Sequence, residues 1–181
     1  MADPVIIVPY DPEWPGLFSS LGQALRRALG NAALRIDHIG STAVPGLDAK
    51  PVIDVQISVA DLDPLDSYRL PIEGLGFIWR ADNPDLTKRY FRERPGARRT
   101  HIHVRRSGSF AEQVALLFRD YMRAHPLDAQ RYAELKYGLA AAYRDDRLAY
   151  TESKSGFIWA IMAQANKWSQ DTNWRPGPSD A

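Results

Sequence analysis

Gly40, Ser41 and Thr42 stand together where a short apolar stretch of the chain ends, and Asp54 lies inside the next apolar stretch. Glycine lets the backbone approach a ligand closely, and the two hydroxyls and the amides of a following helical turn favour an anion. A carboxylate on a neighbouring strand can hold a hard cation that contacts the same phosphates. This spacing predicts a site for a nucleotide or another phosphorylated small molecule, with Mg²⁺ or another divalent cation.

A second feature is an excess of positive charge between Arg80 and Arg106, where nine Lys or Arg residues accompany three acidic ones. The whole chain has a net charge of only +1, so the remainder is net acidic. Such asymmetry can steer an anionic ligand, and arginine can grip phosphate with two hydrogen bonds. Arg89, Arg92 and the loop residue Lys50 are candidate phosphate ligands; a solvated charged face, or for Lys50 a surface lysine, is the alternative.

The periodicity of apolar residues predicts the elements that must position these side chains. Helical spacing covers residues 12–29, and strand-like segments cover 34–39, 51–59, 77–79, 89–92 and 100–105. A short helix is expected within 62–76, and a capping box at Ser109 starts a series of helices, the last two at about 128–143 and 153–168. We therefore predict an α+β protein with one domain: a mixed sheet with helices in residues 1–108, a helical half in 109–168, and a flexible tail at 169–181.

Composition excludes several classes of protein. A chain of 181 residues can bury one substantial core, and the absence of cysteine excludes a disulfide framework, a thiolate nucleophile and a cysteine-based zinc site. No apolar run reaches the roughly 18 residues of a membrane span, and no signal peptide begins the chain, so we expect a soluble, cytoplasmic protein without a membrane partner. The charge balance, and a basic cluster without interleaved aromatic residues, argue against nucleic acid as a partner. The sequence does not indicate an oligomeric state.

The segment from Asp37 to Val55 resembles the GrpB family, which belongs to the nucleotidyltransferase superfamily and has a fold like the palm of DNA polymerase beta. Further matching residues follow in order along most of the chain: Val8-Pro9-Tyr10, Trp14, His101-Ile102-His103-Val104, Phe118-Arg119-Asp120-Tyr121, Arg123, His125-Pro126, Tyr132, Leu135-Lys136, Tyr150 and Lys154. Several separated matches in the right order are more specific than one motif. The resemblance implies a nucleotidyltransferase-like mixed sheet followed by a C-terminal helical portion.

The superfamily pattern also implies which residues hold a metal. It has a Gly-Ser pair, an acid, a second acid two residues later, and a third carboxylate on a later strand. Gly40, Ser41 and Asp54 fit this pattern, but the second acidic position is Gln56, which is neutral. Two metal ions held by three carboxylates are therefore not expected.

The later strand carries two histidines instead of a carboxylate. His101 and His103 are two residues apart, which places both on one face of a sheet. We predict that Asp54 with one or both of them binds a single divalent ion, or that they bind phosphate without metal. His103 is alternatively a general base, because the ordinary histidine pKa lies near neutrality. A histidine that only packs in its strand is an equal alternative for either residue.

Two features of the C-terminal half bear on this site. Tyr150 and Lys154 are four residues apart across a helix start and could close over a nucleotide, or could serve packing and capping. Arg119-Asp120 lies on a helix whose apolar stripe faces elsewhere, which favours an internal ion pair between the helical half and the sheet.

These features predict a protein that transfers a nucleotidyl or phosphoryl group from a nucleoside triphosphate to an acceptor that the sequence does not identify. In this reading Asp54 and His103 are the catalytic candidates, and Lys154 is a phosphate ligand. The alternative is a nucleotide- or phosphometabolite-binding module without turnover, which the neutral Gln56 favours.

Overall fold

The computed structural model describes residues 4–181, and within them it contains a five-stranded sheet. The strands are β1 (Arg35–Ile39), β2 (Ile53–Val59), β3 (Phe77–Trp79), β4 (Arg89–Glu93) and β5 (Thr100–Arg106), arranged in the order β1-β2-β5-β4-β3. Strands β2 and β5 are parallel and the other neighbours are antiparallel, so the sheet is mixed, as predicted.

The described residues form six α-helices, of which α1, α2 and α3 contact the sheet. Helices α1 (Trp14–Leu29) and α2 (Asp66–Gly74) belong to the first half of the chain. Helices α3 (Phe110–Ala124), α4 (Pro126–Ala142), α5 (Arg147–Ser153) and α6 (Ser155–Asp171) form the C-terminal helical portion. None of these helices combines the length and the apolar character that crossing a bilayer requires. The α+β fold class is confirmed.

One face of the sheet forms the main core with α1 and α2. Because side chains alternate along a strand, every second residue of β2 and β5 points to this face. Helix α1 buries one side of its surface against the same cluster, as its periodicity predicts. The cluster includes Trp14, Phe18, Leu25, Tyr68, Ile72, Val55, Ile57, Ile102 and Val104.

The other face of the sheet is polar, and α3 covers part of it. Gln56 and Ser58 of β2 are fully buried there, and both contact Glu112 of α3. The Gln56 amide nitrogen donates to the Glu112 carbonyl oxygen at 3.3 Å, and the Ser58 hydroxyl donates to the Glu112 carboxylate. Beyond α3, the same face continues with Asp54, His101 and His103.

The observed elements differ from the predicted ones mainly at the helices. Helix α5 is absent from the prediction, because seven residues carry too few apolar positions to show a period. It is capped by Asp146, whose carboxylate accepts a hydrogen bond from the Ala149 amide at 2.9 Å. Helix α4 begins at Pro126, earlier than predicted, because proline is well suited to the first helical turn.

The chain after α6 lies along β1. The sequence predicts a flexible tail at 169–181, whereas α6 continues to Asp171 and the following residues pair with the edge strand. The Ile36 amide donates to the Ser179 hydroxyl at 2.8 Å, the Ala181 amide donates to the Ile36 carbonyl at 3.1 Å, and the His38 amide donates to Asp180 at 2.9 Å. These contacts satisfy backbone groups of an edge strand. Local sequence patterns do not reveal these contacts, because the partners are more than 140 residues apart.

Arg119 joins α3 to β1 and to this C-terminal segment. Its side chain is 3% exposed and lies 2.7 Å from Asp120, 2.9 Å from Asp180 and 3.7 Å from the buried Asp37. It also donates to the His38 carbonyl oxygen at 3.1 Å. The predicted ion pair between the helical half and the sheet is confirmed, and it includes β1 directly.

Replacing Arg119 tests how much this pairing stabilises the fold. We expect Arg119→Met to lower the free energy of unfolding by roughly 3 kcal/mol, because it removes one buried cation from three carboxylates and the donor to the His38 carbonyl. Asp37 keeps its pair with Arg35, and Asp120 keeps its pair with Arg123. The control is Arg80→Met, which removes a pair with Asp82 whose side chains are 46% and 70% exposed, and which should cost less than about 1 kcal/mol. Urea unfolding measures both values, and equal losses would contradict the assigned role.

Candidate functional site

A cavity of about 360 Å³ opens between the polar face of the sheet and the C-terminal helices. Its walls come from the turn after β1, the chain before β2, the first residues of β2 and β5, and helices α4 and α5. The lining residues are Gly40, Ser41, Thr42, Ala49, Lys50, Val52, Asp54, His101, His103, Tyr132, Lys136, Arg147, Tyr150, Thr151 and Lys154. The cavity is therefore assembled from both halves of the chain.

The turn after β1 packs directly on the carboxylate of Asp54. Gly40 has φ +71°, a backbone conformation that residues other than glycine rarely adopt. A Cβ atom at this position would lie 2.6 Å from Oδ2 of Asp54. Residues Ser41–Ala43 then form one turn of 3-10 helix. Glycine is needed here both for the turn and for the close approach to Asp54.

Asp54 lies between two imidazoles from β5. Its Oδ1 is 3.1 Å from Nδ1 of His101 and 3.4 Å from Nε2 of His103, and the donor atoms of the three residues lie within 4.8 Å of one another. The register explains this contact, because Asp54 pairs with His101 and His103 is two residues further along the same face. The cluster could hold a single metal ion.

The surroundings set the charges of this cluster. Burial would raise the pKa of Asp54, but the hydrogen bonds with the two histidines outweigh it and hold this pKa well below its usual range. Burial lowers the pKa of His103 to about 4, although Asp54 acts in the opposite direction. Near neutral pH, Asp54 is therefore anionic and His103 is neutral, and these are the forms that ligate a cation.

Several positive side chains line the same cavity. The lysine cluster consists of Lys50, Lys136 and Lys154, and Arg147 lies beside it. Burial, with the charge of Lys154 adding to it, lowers the pKa of Lys136 to about 7 and that of Lys50 to about 8. Asp54 is the single carboxylate among the lining residues of the described chain. The cavity consequently favours a ligand with several negative charges.

The ring of Tyr150 contacts two of the lysines, and the ring of Tyr132 contacts Lys136. The ammonium groups of Lys50 and Lys154 lie 4.8 Å and 4.5 Å from the centre of the Tyr150 ring. Both contacts are within cation–π range. The Tyr150 hydroxyl is buried without a hydrogen-bond partner within residues 4–181.

Most of the site residues predicted from the sequence meet in this cavity. They are Gly40, Ser41, Thr42, Lys50, Asp54, His101, His103 and Lys154. Thr42 is also engaged structurally, since its hydroxyl donates to the Val52 carbonyl at 3.0 Å and lies 3.0 Å from Nε2 of His38.

Arg89 and Arg92 do not line this cavity. Arg89 pairs in register with Val104, whose side chain belongs to the apolar face of the sheet. Arg92 pairs with His101 and shares the polar face, but its guanidinium lies 2.7 Å from Glu93 and borders another cavity, of about 500 Å³. Arg89 and Arg92 are three residues apart, so the alternation of β4 places them on opposite faces of the sheet.

Some lining residues were not among the predicted site residues. Tyr132, Lys136 and Tyr150 match the family resemblance, but the sequence does not tell their packing roles from binding roles. Arg147 was not singled out at all. Its signal was the N-cap at Asp146, since a helix starting there brings Arg147, Tyr150 and Lys154 to one side at helical spacing.

Comparisons with known proteins agree with this architecture. The model of a family described as GrpB protein matches residues 4–164. A UPF0157 protein of Pseudomonas aeruginosa is 43% identical over 90% of this chain and 68% of its own length, and one of Halalkalibacterium halodurans is 35% identical over 90% and 83%. A relative named dephospho-CoA kinase, from Mycolicibacterium paratuberculosis, is 33% identical, and the chain spans about half of its length (49%).

Solved structures show the same fold. The crystal structure of GrpB from Enterococcus faecalis has a TM-score of 0.83 and 34% identity, covering 91% of this chain and 99% of that one. Two nucleotidyltransferases are more distant: CdnC of E. coli (TM-score 0.50, 17% identity, covering 93% and 62%) and Cid1 with a UTP analogue (0.50, 13%, 75% and 43%). At such identities they show a nucleotidyltransferase-like fold alone. The family model covers residues 4–164, and the Pseudomonas aeruginosa relative is 43% identical over 68% of its own length. The chain therefore belongs to the GrpB family.

Proposed function

We propose that this protein binds a nucleotide in the cavity and transfers its nucleotidyl or phosphoryl group with the help of one divalent cation. The observation that carries the proposal is the convergence of the lysine cluster and Arg147 on the cavity that also contains the Gly40 turn and Asp54. Several cations facing one carboxylate suit a polyphosphate whose charge is shared between the protein and a metal ion. The nucleotidyltransferase-like fold agrees with this proposal.

The residues fit one metal ion and not two. Asp54, His101 and His103 offer three converging donor atoms. Gln56 stands where the superfamily resemblance implies a second acid, and it is buried against Arg105 and Glu112. A divalent ion at Asp54 would contact phosphate oxygens and offset the charge that develops during transfer.

The chain's own groups would hold and orient the substrate. The lysine cluster binds the phosphates, while Gly40 allows the backbone of the turn to come close to them. The Ser41 hydroxyl lies in the same wall and can hydrogen-bond to a phosphate oxygen. The low pKa of His103 makes it a weak general base at neutral pH, which favours its role as a metal ligand over the catalytic alternative.

A second candidate function is a nucleotide- or phosphometabolite-binding module without turnover. The neutral Gln56 favours it, because a site with a single carboxylate does not hold two metal ions of the usual kind. Both candidates require ligand binding, and only the first requires release of pyrophosphate or transfer of phosphate.

Calorimetric titration with ATP, GTP, CTP and UTP, with and without a divalent cation, tests both candidates. We expect one nucleotide per chain and tighter binding with metal. Asp54→Asn should remove about tenfold or more of the metal-dependent affinity, whereas Asp82→Asn, which changes an exposed acid outside the cavity, should not. Absence of binding under every condition would overturn nucleotide transfer and nucleotide binding alike. If a nucleotide does bind, a pyrophosphate-release assay separates transfer from binding.

Replacing Gly40 tests the close approach of the turn to Asp54. We expect Gly40→Ala to weaken metal-dependent nucleotide binding by about tenfold or more, because the new Cβ collides with the carboxylate. The matched control is Gly46→Ala, at φ +76° with no heavy atom within 4 Å of the added Cβ. Both substitutions place alanine at a positive φ, which strains the backbone by roughly 1–3 kcal/mol, but only the first also displaces Asp54. Equal effects on affinity would contradict this role of Gly40.

The pH dependence of metal-free nucleotide binding tests the lysine cluster. An anion beside a lysine raises the lysine pKa. The affinity for nucleotide is therefore greatest below the pKa values of the ligand-free protein, which are about 7 for Lys136 and about 8 for Lys50. It falls as the pH rises through these values. We expect about a tenfold loss between pH 6.5 and 9, measured by calorimetry. Lys136→Met should flatten this slope, and Lys88→Met, outside the cavity, should preserve it. An unchanged slope in Lys136→Met would exclude Lys136 as its source.

A further inference from the structure

We infer that Asp54, His101 and His103 select a single first-row transition-metal ion, such as Fe²⁺, Co²⁺ or Zn²⁺, in preference to Mg²⁺. The inference rests on the proposed function in using the same cavity, but metal binding can be measured with no nucleotide present. The nucleotidyltransferase pattern implies carboxylates around hard cations. This cluster instead has one carboxylate and two imidazoles.

The two separations between Asp54 and the histidines suit neighbouring ligands of one ion. Ligands at about 2.1 Å from a metal are about 3.0 Å apart at a right angle and about 3.4 Å apart at a tetrahedral angle. Oδ1 of Asp54 lies 3.1 Å from Nδ1 of His101 and 3.4 Å from Nε2 of His103. Both strands are central in the sheet, so their backbone pairing holds these separations.

The chemistry of the donors discriminates between metals. Mg²⁺ takes oxygen ligands in a strict octahedron and loses its water reluctantly. Imidazole nitrogen suits iron, nickel, copper and zinc, and two histidines with one carboxylate form a recurring three-ligand face that leaves coordination positions open. A site whose ligands are mainly imidazole therefore binds a transition metal more tightly than Mg²⁺.

The charge of the cavity lowers the affinity for every divalent ion, so the donor atoms decide which ion still binds. The lysine cluster and Arg147 line the same space as Asp54, so any divalent ion meets electrostatic repulsion there. This repulsion is the same for all divalent ions. Mg²⁺ can offset it only through attraction to one carboxylate, whereas a transition metal also gains from bonds to two nitrogens.

The surrounding residues keep the cluster at three ligands. Gln56 is the next side chain of β2 on this face, and it is fully buried. Its amide oxygen accepts from Arg105, and its amide nitrogen donates to the Glu112 carbonyl at 3.3 Å. Turning Gln56 toward the cavity would break both hydrogen bonds. The remaining coordination positions of an ion therefore face the cavity and its cations.

Metal titration of the untagged, chelator-stripped chain tests the inference. We expect one Co²⁺ or Zn²⁺ per chain by calorimetry, and visible absorption bands on addition of Co²⁺. Mg²⁺ should bind at least about 100-fold more weakly. His103→Gln and Asp54→Asn should each weaken Co²⁺ binding by about tenfold or more. His125→Gln should leave it unchanged, since this histidine lies outside the cavity and hydrogen-bonds to the Tyr121 carbonyl.

Two results would overturn the inference. One is Mg²⁺ binding within about tenfold of Zn²⁺, and the other is Co²⁺ binding that survives both His103→Gln and Asp54→Asn. Circular dichroism checks that the variants fold, and His101→Asn replaces either one that does not. If Co²⁺ binds as expected but no nucleotide binds, the proposed function fails and the metal site stands. If a nucleotide binds with Mg²⁺ and the chain has no affinity for Co²⁺, the metal inference fails and the proposed function stands.

Discussion

The parallel pairing of β2 with β5 is the constraint on which the site depends. It places Asp54 opposite His101 and brings His103 onto the same face, so that one carboxylate oxygen lies between two imidazoles. A shift of one residue in either strand would turn one set of side chains toward the opposite, apolar face. The apolar residues that alternate with them, Val55 and Ile102 among others, therefore fix the site as well as the core.

Helix α3 divides the polar face of the sheet into two regions with different demands. Under the helix, Gln56, Ser58 and Asp37 are removed from water, and each has a partner in Glu112 or an arginine. Beyond the helix, Asp54 and the histidines border an open cavity. Polar groups on a sheet face must either be paired or be accessible, because an unpaired buried charge costs several kcal/mol. The position of α3 thus decides which residues are structural and which can bind a ligand.

The cavity is complete only when the two halves of the chain meet. The sheet half supplies the Gly40 turn, Lys50 and Asp54, and the helical half supplies Lys136 and Lys154. Arg119 links these halves through its contacts with β1 and with the segment after α6. The same packing that stabilises the domain therefore sets the distance between the lysine cluster and the cluster of Asp54, His101 and His103. That distance limits the size of a ligand that fits between them.

Local patterns in the sequence were enough to predict all five strands and the longer helices, because the alternation and the helical spacing of apolar residues act over a few residues. Motif spacing was likewise enough to predict that Gly40, Ser41 and Asp54 meet. The sequence could not decide the face on which Arg89 and Arg92 would lie, since that depends on the register of β4 against β5. Local patterns also missed α5 with Arg147, because a helix of seven residues is too short to show a period. They missed the pairing of residues 179–181 with β1, because this pairing joins residues that are far apart in the chain. Contacts over long separations follow from packing of the whole chain, and only the tertiary structure decides them.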